Sequence, residues 1–208
     1  MIKGKMKHIR LFEELINEIG DASHKPFKWK LEPPYSKVYY NSPEDFMKAF
    51  KKDNENDYGY TMYSFKTDKG TNYEVELNWD TYQERFEDTP QLQVSIDFYV
   101  TEGKDRGLDQ KMTNMHEIFP VMSTVIDICV SWVNQWDKVF YLRRIDIEPK
   151  KEDDYADFGD PVDSRRGKLY LHFIKKQLKR LKNKNGKYNV KVHNDLFKIE
   201  PSWYAEDN

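Results

Sequence analysis

Cysteine is nearly absent. Cys129 is the only one in 208 residues, so no disulfide can form within one chain, and a zinc site built on paired thiolates has no material. The histidines, His8, His24, His116, His172 and His193, are scattered without an H-x-x-x-H pair. Neither a G-x-S-x-G elbow nor a P-loop glycine pattern occurs, so no cofactor and no metal are expected. No apolar run approaches a membrane span, and the basic N-terminus lacks the continuous apolar core of a secretory signal. Internal repeats and low-complexity tracts are missing too. With a formal net charge of −2, the whole molecule is neither a nucleic-acid magnet nor a nucleic-acid mimic.

Aromatic residues are abundant, at 15%, alongside 34% charged and 38% apolar residues. Mean hydropathy is −0.93. That combination predicts a compact core of large side chains inside a heavily charged surface. The core is organised around Asn114–Trp136. Ile118, Val121, Met122, Val125, Ile128, Cys129, Trp132 and Trp136 recur at helical spacing, and Ser123, Asp127, Ser131 and Asn134 gather on the other side. Asn114 is the expected cap, and Pro120, one turn inside, predicts a kink or restart. Ile126, Val130 and Val133 widen the stripe enough for it to lie on a sheet. Cys129 reads as a buried structural thiol.

The rest alternates between strand and helix patterns. Val38–Tyr40 is a short strand candidate, and Ser42-Pro43-Glu44 starts a helix running to about Lys52. Tyr58–Lys66 and Asn72–Trp79 form a hairpin through Asp68-Lys69-Gly70, and Leu92–Val100 repeats the alternation. Val139–Ile147 follows the central helix. Asp163 or Ser164 caps a second main helix ending near Leu181, and Tyr188–Val192 and Phe197–Ile199 close the chain. The expected class is α+β: a mainly antiparallel sheet of five to six strands, two main helices on one face and a short N-terminal helix. The expected divisions are an N-terminal leader or docking helix (1–20), an extended linker (21–34) rich in proline and lysine, one domain (35–201) and a tail (202–208).

Charge is segregated along the chain. Asp146 to Asp163 is mostly acidic, whereas every formal charge from Arg165 to Lys187 is basic. Arg165, Lys168, His172, Lys175, Lys176, Lys179 and Lys182 fall opposite the apolar stripe of the second main helix, with Arg166 and Arg180 nearer its margins. Such a face suits phosphate contacts and makes nucleic acid a candidate partner; a solvated face balanced by the acidic loop is the plainer reading. Asp146, Glu148 and Lys150 form D-x-E-x-K at a strand end, with Asp97 on another strand. This resembles the metal-dependent PD-(D/E)xK nucleases, in which carboxylates hold a divalent ion and the lysine orients water. Pro149 interrupts the pattern, and alternation turns Asp97 and Asp146 away from the core, toward water.

At the N-terminus, Ile9, Phe12, Leu15, Ile16 and Ile19 line one side of a short helix that Gly20 stops. On its residues alone this is an element docked on the core. The string Met6–Glu18, MKHIRLFEELINE, also resembles the capsid-targeting leader of internal head proteins of T-even-like tailed bacteriophages. The resemblance covers only this segment. It implies a partnership with the phage capsid or scaffold, residence in the host cytoplasm and then the virion, and cleavage by the prohead protease. Ile16 and Glu18 would set the cut and Ile19 would become the new N-terminus. It implies no activity for the mature domain.

Overall fold

The computed structural model describes residues 25–34, 36, 39–53, 58–82, 91–101, 117–147, 171, 174–177, 180, 181, 188–193 and 196–202. The class is α+β, built on one mostly antiparallel sheet. Its strands are β1 (Trp29–Leu31), β2 (Tyr58–Lys66), β3 (Asn72–Tyr82), β4 (Gln91–Thr101), β5 (Tyr141–Ile147), β6 (Tyr188–His193) and β7 (Leu196–Pro201). The sheet has seven strands, against the expected five to six, in the order β1-β2-β3-β4-β5-β7-β6. The extra one is β1, which falls inside the segment read as linker. It pairs antiparallel with β2, Trp29 opposite Phe65 and Leu31 opposite Tyr63. Of the strand candidate Val38–Tyr40, Val38 lies outside the described residues and Tyr39 forms an isolated bridge with Tyr60.

Helix α1 (Pro43–Asp53) opens as its sequence dictates. Ser42 Oγ accepts the Asp45 N–H at 3.2 Å and donates to the Asp45 carboxylate at 2.9 Å, with Pro43 in the first turn, where no N–H is needed. Helix α2 (Ile118–Trp136) links β4 to β5, the sheet's one parallel pair among the described strands. Its described part starts at Ile118, so Pro120 lies in the first turn, where a proline is tolerated; the proposed Asn114 cap lies outside the described residues.

Helices α1 and α2 lie on the same face of the sheet. Of the expected second main helix, Ser164 to about Leu181, only residues 171 and 174–177 are described as helical, and the rest lies largely outside the described residues. Alternation sends Tyr73, Val75, Leu77 and Trp79 of β3, and Leu92, Val94 and Ile96 of β4, into the buried core with Val121, Ile128 and Trp132 of α2. Trp79 and Trp136 meet at a ring-centroid distance of 4.4 Å, and Phe46 of α1 stands 5.8 Å from Trp79 and 5.4 Å from Phe140. The Trp79 and Trp132 indole N–H groups are buried without an acceptor, so the cluster is held by ring packing and burial.

The β4–β5 ladder carries one irregularity. Leu92 pairs with Leu142, but Gln93 pairs with Arg144, leaving Arg143 as an extra residue in β5. The insertion resets the alternation, so Leu142 and Ile145, three apart, both face the core, at 1% and 2% exposure. Arg144 and Asp146 are thereby turned to the other face.

Candidate functional site

Asp97 and Asp146 do lie on the face away from the helices, as alternation requires. Ser95 is the partner of Asp146 in the parallel ladder, which leaves Asp97 two residues further along. Asp97 instead stands opposite Glu76 of β3, two like charges facing each other across the pair. Glu148 and Lys150 lie outside the described residues.

Asp146 corrects one expectation. It is not turned to water but buried, at 9% exposure. The Arg144 side chain donates from Nε to Asp146 Oδ2 at 2.9 Å, and Gln93 Nε2 donates to the same oxygen at 3.2 Å. Arg144 neutralises the carboxylate from two residues away on the same strand, so the pair can be buried where a lone charge could not. The other oxygen, Oδ1, is buried and meets no donor among the described residues. Beside this pair on the same face, Lys191 of β6 reaches the buried Glu200 of β7 at 3.0 Å. No group of three or more histidine, cysteine, aspartate or glutamate side chains among the described residues could hold a metal ion. The described charges here make two matched pairs, Arg144–Asp146 and Lys191–Glu200, beside the like-charged Asp97 and Glu76.

Of the basic-face candidates, Lys175 is exposed and Lys176 half-exposed; Arg165, Lys168, Lys179 and Lys182 lie outside the described residues, as do Ile16, Glu18 and Ile19. Arg180 turns inward: its guanidinium forms an ion pair with Asp127 of α2.

Asp127 is the residue sequence reading undervalued. Its second carboxylate oxygen accepts the Trp29 indole N–H at 2.9 Å. Two residues before Trp29, the Phe27 backbone N–H donates to Thr124 Oγ at 2.8 Å, and that hydroxyl donates to the Pro120 carbonyl at 2.7 Å. The chain entering β1 is thus strapped along α2 at two points, one helical turn apart. A signal was available, because Asp127 is the single charged residue between Ile118 and Trp136. A lone charge on so apolar a helix asks for partners.

Between α2, the sheet and the helical residues 174–177 lies an apolar cavity of about 50 Å³, lined by Ile96, Val125, Cys129, Ile145, Ile174 and Leu181 among others. Cys129 is half-buried rather than fully buried. The apolar surroundings of its thiol push the pKa up to about 12, so the group sits there as a neutral thiol and not as a nucleophile. No helix among the described residues is long and apolar enough to cross a membrane.

No protein-family model, no curated protein and no solved structure matches the chain.

Proposed function

We propose that this chain is an internal, head-packaged protein of a tailed bacteriophage, directed into the capsid by residues 6–18 and cut after Glu18. The single observation that carries the reading is the string MKHIRLFEELINE, with Ile16-Asn17-Glu18 as the processing site. The strap at Phe27 and Trp29 lies downstream of the proposed cut, so cleavage would leave both anchor points on α2 intact. The partners are the phage capsid or scaffold and the prohead protease, and the location is the host cytoplasm, then the virion. Of the basic residues, Arg180 at the margin of that face is committed to Asp127, while Lys175 is exposed.

Mass analysis of the protein from purified mature virions tests the proposal. The expected N-terminus is Ile19. An intact N-terminus in virions, or absence of the protein from them, would overturn it.

A further inference from the structure

One carboxylate joins two segments far apart in the chain. Trp29 of β1 donates to one oxygen of Asp127 and Arg180, from the C-terminal helical segment, donates to the other. A carboxylate held by two donors has its rotamer fixed once for both, so losing either donor frees the side chain that the other one needs. Arg180 has little else to hold it. Among the described residues its other side-chain bond is a long one, 3.5 Å, to Gln177 of its own segment. The described residues of that segment supply one wall of the apolar cavity, its roof: Ile174, Gln177 and Leu181 line it together with Val125 and Cys129 of α2 and side chains of the sheet.

We infer that Asp127 is a shared latch, through which docking of the N-terminal strap at Trp29 holds the C-terminal helical segment closed over the apolar cavity. Undocking the strap lifts the roof locally, while the sheet stays folded. The energy at stake is that of a partly exposed, charge-assisted pair, since the Asp127 and Arg180 side chains retain 26% and 39% exposure. Such a pair is weak enough to open without unfolding the domain. The inference rests on contacts alone, and stands whether or not the N-terminus is a processed leader.

The protein carries its own reporter, since its only cysteine lines the cavity. The experiment measures the rate at which an uncharged maleimide alkylates Cys129 in the full chain, across urea concentrations below the unfolding transition. The variants are Trp29→Phe, Arg180→Gln, the two combined, and Lys175→Gln as the control on the exposed side of the same segment. Trp29→Phe and Arg180→Gln are expected each to accelerate labelling about tenfold, with little urea dependence, as befits a local opening. The combined variant should label no faster than the faster single one, and Lys175→Gln should label as the wild type does. A wild-type rate for Trp29→Phe, or a combined effect equal to the product of the two single effects, would show that strap and roof are independent. Acceleration with the full urea dependence of global unfolding would equally overturn a local latch.

Discussion

Gly59 stands directly opposite Trp79 in the β2–β3 ladder, and a methyl group on Gly59 would lie 2.7 Å from the Trp79 ring. It would also lie 3.0 Å from the Tyr40 ring. Trp79 is 1% exposed and touches Trp132, Trp136 and Phe46, so it has no free side to move toward. Gly59→Ala should therefore destabilise the fold by about 1–3 kcal/mol, the usual range for overpacking. A shift of the urea midpoint reads this directly, and an unchanged midpoint would mean that the cluster can rearrange around the added methyl.

Asp146→Asn should also destabilise, by about 1–3 kcal/mol, because it leaves the half-buried Arg144 guanidinium without its anion. It should do so equally with and without divalent ions. Since the described carboxylates Asp97 and Asp146 do not converge, neither magnesium nor manganese should raise the wild-type melting temperature, and no nucleolytic activity should appear with either. A metal-induced thermal shift abolished by Asp146→Asn would reinstate the nuclease reading.

Glu32 links the strap to acid stability. Burial raises its pKa, but hydrogen bonds from Ser64 and Lys30, with the charge of Lys30, outweigh that and leave it below the ordinary carboxylate value of 4.5. A folded-state pKa lowered in this way stabilises the fold above the ordinary value, and the contribution is lost as pH falls through the folded one. In Ser64→Ala one of these stabilising bonds is gone. The melting temperature of this variant should lie below wild type at neutral pH, and the gap should close under acid conditions. A gap that stays constant across the acid range would show that the Ser64 contact is not linked to ionisation.

The class of the fold and most of its elements were legible in the sequence because strict alternation and a wide helical stripe each leave an unmistakable trace. Tyr58–Lys66 was placed at its observed bounds, and β3, β4 and the β2–β3 turn through Gly70, with φ at +92°, were nearly so. β1 was not legible. Three residues between Pro26 and Pro33 carry too short a pattern, and what makes them a strand is the edge of β2 and the hold of Asp127 on Trp29. The burial of Asp146 was missed for a similar reason. Alternation says which face a side chain takes, but not that Arg144, displaced by the extra residue Arg143, will cover it. As for the candidate sites, the Asp97–Asp146 relationship depends on strand register, which no local pattern encodes.

The single parallel pair among the described strands imposes an order on assembly. β1 to β4 join through neighbours in sequence, and the β6–β7 hairpin closes on itself, but the two halves share only β5. β5 in turn can align beside β4 only after α2 has carried the chain back along the sheet. During synthesis the N-terminal meander can therefore form while the remainder is still emerging, and it presents β4 as an open edge until Tyr141–Ile147 arrives. The final hairpin waits for that event. A lesion in α2 would thus cost more than its own packing, for it would leave two partly formed sheets on one chain, each with an uncapped strand.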